Sequence, residues 1–143
     1  MSVILTQEEL ERLCREWQKI LRLQDWDIKV KICRQNDMTP DSQADSTWTL
    51  PKKTAIIRLC DPIDYIDVAW PQDMERSLVH ELLHLHLAPI DDFEPGTIKD
   101  ILLEQAVDAM SKALITFAAN RLSSPGRYVQ TGICIGQYAE SAT

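Results

Sequence analysis

Apolar residues recur at helical spacing near the start of the chain and then change to strand spacing. Leu10, Leu13, Trp17, Ile20 and Leu21 form a stripe that predicts an amphipathic helix from Thr6 to about residue 23. Thr6-Gln7-Glu8-Glu9 opens it as a capping box, where a hydroxyl and a carboxylate each serve a backbone N–H of the first turn. From Trp26 to Cys33 apolar and polar positions alternate with period two, which predicts a half-buried strand. The polar stretch from Arg34 to Ser46 contains Asn36, Asp37, Pro40 and Asp41 and predicts a loop. Two more short strands are expected over 46–50 and 54–60, parted by Pro51-Lys52-Lys53.

Asp61-Pro62 then breaks the sheet, and Pro71-Gln72-Asp73 opens a second helix that Pro89 stops. After the turn-rich loop 91–96, Thr97 caps a third helix, with Asp100 at the box position, running to about Arg121. Ile101, Leu102, Ala106, Val107, Ala109, Met110, Ala113 and Leu114 lie on several of its sides, so this helix is expected to be largely buried. Ser123-Ser124-Pro125-Gly126 ends it, and the tail 123–143 reads as a docking strand or a frayed terminus. The fold class that follows is α+β: an N-terminal helix, a small three-stranded sheet and two packed helices. A chain of 143 residues fits a single domain over 1–143 with its core over about 6–122.

The second helix carries the candidate chemistry, His80-Glu81-Leu82-Leu83-His84. Positions i and i+4 share a helix face, so His80 and His84 can aim ring nitrogens at a single ion. Glu81 is rotated about 100° from His80, which suits a general base flanking the metal rather than a ligand. Catalytic zinc takes three protein ligands, so a third donor is required. His86 lies about 200° round the helix from His84 and is expected to sit at the helix end, favoured by the C-terminal dipole. Glu104 is the better candidate, and Asp108, one turn further, is placed to accept the free N–H of a ligand histidine. The same ligand types also serve non-haem iron, but helical HExxH spacing favours zinc.

HELLH followed about twenty residues on by Glu-x-x-x-Asp resembles the gluzincin pattern of zinc metallopeptidases. The stretch Val79 to Pro89 also resembles small zincin-like proteins of phages and prophages, and more distantly SprT-like and ImmA/IrrE-like minimal metallopeptidases. The resemblance covers roughly residues 25–120 and is specific only in the two helical motifs. It implies His80, His84 and Glu104 as Zn2+ ligands, Glu81 as general base and Asp108 as support to a ligand. It also implies a zincin-like minimal fold and hydrolysis of a peptide or protein substrate. In such folds an edge strand beside the cleft pairs with an extended substrate, and 54–60 is the strand expected to do so. Tyr65, Tyr128 and Tyr138 are candidates to stabilise an oxyanion, and spacing does not choose among them. The alternative is a zinc-binding, partner-binding or regulatory protein of that fold with little general proteolysis.

Charge and composition narrow the partners. The net charge is −7, the pI about 4.9, and none of the 15 basic residues forms a long run, which argues against nucleic acid binding by the domain alone. No stretch approaches a membrane span and the N-terminus lacks a signal-peptide pattern, so an intracellular, cytoplasmic setting is expected. Cys14, Cys33, Cys60 and Cys134 are widely spaced, as in a reducing compartment. Cys33 and Cys60 read as small buried hydrophobes, and Cys14 as an exposed thiol.

Overall fold

The computed structural model of the chain describes residues 1–67 and 69–122. It contains helix α1 (Gln7–Ile20), strands β1 (Asp27–Cys33), β2 (Ala44–Thr49) and β3 (Thr54–Cys60), and helices α2 (Met74–Leu87) and α3 (Ile98–Leu122). The architecture is α+β, with a mixed three-stranded sheet in the order β1-β3-β2. Three 3-10 turns, Gln35–Asp37, Leu50–Lys52 and Pro62–Asp64, fill the connections. The tail 123–143, with its Ser-Ser-Pro-Gly stop, Tyr128, Cys134 and Tyr138, lies outside the described residues.

Thr6 and Glu9 form the expected capping box on α1, with Glu9 N–H to Thr6 Oγ1 at 3.2 Å and Thr6 N–H to Glu9 Oε2 at 2.8 Å. The buried face of α1 is Leu10, Cys14, Trp17 and Gln18, with Leu13 and Leu21 partly buried against the core, so the expected stripe holds except at Ile20. Ile20 is 59% exposed, because the chain turns away at Leu21–Arg22 before a further turn of helix can cover it. Gln18 makes that turn possible by donating to the carbonyls of Leu23 and Trp26 at 3.1 and 3.0 Å.

Cys14 is fully buried, which overturns its reading as an exposed thiol. It sits one turn after Leu10 on the core face, and burial pushes its thiol up to about 11. Native protein treated with iodoacetamide at pH 8 is therefore expected to leave Cys14 unlabelled, and denatured protein to label it fully. Mass-spectrometric mapping of the modified peptide reads the difference. Labelling of Cys14 at equal rates in both states sinks this placement.

Register decides which side chains meet the helices. β1 and β3 run parallel with Ile28↔Ala55, Val30↔Ile57 and Ile32↔Leu59, and β2 runs antiparallel to β3 with Ala44↔Leu59, Ser46↔Ile57 and Trp48↔Ala55. Those residues form the inner face, on which α1 and α2 pack. Lys29, Lys31, Thr47 and Arg58 fall on the opposite face by the same alternation.

β3 is the central strand, so the expectation that 54–60 forms a free edge is corrected. Both sides of its backbone are used in ladders, and its nearly continuous apolar run is what a central strand requires. β2, the more polar segment, is the edge strand nearer α2.

α2 is the structural centre of the molecule. Leu78, Val79 and Leu82 are fully buried, and Met74 and Leu85 nearly so, because the sheet, α1 and α3 all pack against this helix. Asp73 caps its start, accepting from the Arg76 N–H at 2.9 Å. The first residues of the chain secure that end through Val3 N–H to Gln72 O (2.8 Å) and Met74 N–H to Val3 O (2.9 Å). Trp17 Nε1 donates to Glu75 at 2.8 Å and joins α1 to the same end.

α3 departs from expectation. Only Val107 and Ser111 are fully buried, with Leu103, Leu114, Ile115 and Ala118 half-buried against the core. Ile98, Ile101, Leu102, Met110 and Phe117 are exposed, since α2 covers one face of α3 and no other described element covers the rest. Among the described residues no helix is long and apolar enough to cross a membrane.

Candidate metal centre

Two adjacent helices bring the donors together. On α2 the i, i+4 spacing sets His80 Nε2 and His84 Nε2 3.2 Å apart, with ring centroids 5.0 Å apart. From α3, Glu104 reaches both: Oε2 lies 3.3 Å from His80 Nε2 and Oε1 lies 3.1 Å from His84 Nε2. His80, His84 and Glu104 are the one such donor cluster among the described residues.

Does this triangle suit zinc? Ligand bonds of about 2.0–2.1 Å arranged tetrahedrally put ligand atoms about 3.3–3.4 Å apart. The approaches here are 3.1 to 3.3 Å, with His80 facing Oε2 and His84 facing Oε1 of Glu104, and one donor atom from each residue lies within 4.8 Å of the others. At 3.2 Å the two ring nitrogens either share one N–H···N hydrogen bond or face a common cation. Burial, and next the neighbouring His84, lower the pKa of His80, while Glu104 and Asp108 oppose the shift. That favours the neutral imidazole a metal requires. The three residues form a group able to hold a metal ion.

Glu104 supplies its carboxylate from a half-exposed position, 50% open to solvent, because α3 packs on a single face. The expectation of a largely buried α3 is thus corrected, although Glu104 still meets both histidines.

Glu81, next to His80 on α2, is only 7% exposed. Its Oε2 accepts a hydrogen bond from Ser46 Oγ at 2.6 Å. Ser46 is available because the β2 register puts it on the inner face, over α2. Burial raises the Glu81 carboxyl to about 7, against the Ser46 hydrogen bond and with help from the charges of Glu104 and Asp45. A carboxyl poised there can both accept and release a proton near neutrality.

His80, Glu81 and Asp108 line one open cleft of about 200 Å³ with Gln43, Ala44, Arg76 and Ser77. Asp108 forms an ion pair with Lys112 at 2.6 Å, and this rather than a histidine N–H is its partner. It is still close enough for His80 to feel its charge. His86, expected at the end of its own helix, is in the last turn of α2 and faces the Leu21 carbonyl at the C-cap of α1. Tyr65 donates to the Trp70 carbonyl and lines a different depression, with Asp64 and Ile66. Tyr128 and Tyr138 lie outside the described residues.

Arg76 lines the cleft and Ser46 holds Glu81, and sequence reasoning missed both. Arg76 was within reach: Arg76, His80 and His84 form an i, i+4, i+8 row on one face of α2. Ser46 carried no local signal, because its role depends on the pairing of β2 with β3.

No protein-family model matches this chain. No curated protein is similar to it. Nor does any solved structure match.

Proposed function

We propose that this protein is a zinc-dependent metallopeptidase of the gluzincin type. The observation that carries the reading is the cluster of His80, His84 and Glu104 donor atoms within 4.8 Å of one another, with the buried carboxyl of Glu81 lining the same cleft as His80. A zinc ion held there supplies Lewis acidity and makes water easier to ionise. Glu81 takes the proton from the attacking water and passes it to the leaving amide nitrogen. Ser46 keeps the Glu81 carboxylate aimed into the cleft. The backbone edge of β2, unpaired among the described strands and with its first residue Ala44 lining the cleft, offers an extended peptide hydrogen bonds. That edge supports the reading of a peptide or protein as the substrate.

The test is incubation of the zinc-loaded full chain with a mixture of peptides, with products read by mass spectrometry. New termini are expected, lost on chelation and regained on adding zinc. A zinc-loaded protein that leaves every peptide intact overturns the hydrolase reading and favours a zinc-binding protein with a regulatory role.

A further inference from the structure

Arg76 stands one helical turn before His80 on the same face of α2 and lines the cleft with His80 and Glu81. It is half-buried. Among the described residues its guanidinium makes no hydrogen bond and no ion pair, although Asp108 feels its charge. A guanidinium presents five N–H donors in a rigid fork, and half-burial takes away part of the water that would satisfy them. If Arg76 served only to offset the carboxylates around it, one of them would hydrogen-bond to it. Instead Asp108 is engaged by Lys112, Glu81 by Ser46, and Glu104 by the two histidines. The fork is left facing a groove whose other wall is Gln43 and Ala44, at the start of edge strand β2.

We propose that Arg76 is a subsite for a carboxylate of the substrate, which makes acidic peptides the class that this cleft takes. The inference rests on the peptidase reading for its substrate, but the subsite itself is a property of Arg76. A carboxylate matches the fork with two parallel hydrogen bonds, stronger than neutral ones. One turn of helix is about 5.4 Å, which is between one and two residues of extended chain. The carboxylate therefore belongs to a residue within two positions of the bond above His80 and His84. Both a chain-terminal carboxylate and an Asp or Glu side chain have this chemistry.

Two measurements test it, on wild type, Arg76→Ala and Arg76→Lys, each first shown to be folded by circular dichroism and to hold zinc. The first maps cleavage in the peptide mixture and compares matched peptides with a free or an amidated C-terminus, and with Glu or Gln near the cut. Wild type is expected to prefer the acidic member by about 10-fold or more. Arg76→Ala abolishes that preference, chiefly through KM, and Arg76→Lys restores part of it. Which pair shows the effect identifies the source of the carboxylate. The second measures binding of glutarate by calorimetry to the zinc-loaded proteins, which needs no turnover. Wild type is expected to bind it about 10-fold more tightly than Arg76→Ala. Cleavage without acidic preference, or equal glutarate binding by wild type and Arg76→Ala, overturns the subsite. Glutarate discrimination in a protein that cleaves nothing keeps the subsite and removes the peptidase reading.

Discussion

Wild-type protein is expected to take up a single zinc ion and to melt at a higher temperature with it, and His84→Ala to do neither. Ligand that binds only the folded state adds about 2.7 kcal/mol at a hundredfold excess over Kd. In a domain of this size that is a rise in Tm on the order of 5–10 °C. His84 is the most enclosed of the three residues, and its Nε2 stands 3.2 Å from His80 Nε2 and 3.1 Å from Glu104 Oε1. Loss of one imidazole leaves two donors, too few to hold zinc with comparable affinity. Alanine in place of an enclosed ring also weakens packing, so Glu104→Gln serves as the companion variant. Glu104 is half-exposed, and its replacement removes a ligand with little effect on the core. Elemental analysis for bound zinc and calorimetric melting with and without the ion check both. A zinc-dependent shift of wild-type size in His84→Ala and in Glu104→Gln sinks the ligand assignment.

Glu81→Gln separates chemistry from metal binding. The variant keeps all three donors, and its amide oxygen can still accept from Ser46, so zinc content is expected to equal that of wild type. It has no carboxylate to take a proton, and general-base steps of this kind are worth 10²- to 10⁴-fold, so turnover is expected to fall by about that factor. Retained metal with wild-type turnover removes Glu81 from the mechanism. A second consequence appears in metal-free protein. Burial raises Glu81 from its ordinary 4.5 to about 7, so between those values the folded state binds more protons than the unfolded one. That contribution to stability is present below about 4.5 and is lost as the pH rises to about 7. Glu81→Gln, with nothing to titrate, is expected to show a flatter stability–pH profile over that window and to be the more stable at pH 8. Denaturant midpoints measured in chelator at several pH values check the sign.

Much of the local structure was legible in the chain. The capping box of Thr6 and Glu9, the alternation from Asp27 to Cys33 and the Asp73 cap on α2 depend only on residues close in sequence. Such signals act through backbone groups within a turn or two. The errors share a cause as well. Cys14 was read as exposed, α3 as buried and β3 as an edge, and each depends on what lies alongside the element. Composition hinted at the last of these, since Thr54–Cys60 is far more apolar than Ala44–Thr49.

By itself the sequence determined the pairing of His80 with His84 on one helix face and the rotation that sets Glu81 apart from them, because helical periodicity is a local property. It also marked Glu104 as the third donor to examine. Tertiary structure alone decided that Glu104 lies within 3.3 Å of both rings, from a half-exposed helix. It alone placed Ser46 against Glu81, 35 positions away in the chain, and left Arg76 in the cleft with no partner among the described residues. Those distances are set by packing of α3 on α2 and by the register of β2 on β3. Such packing and register come from side chains far apart along the chain, so no short stretch encodes them.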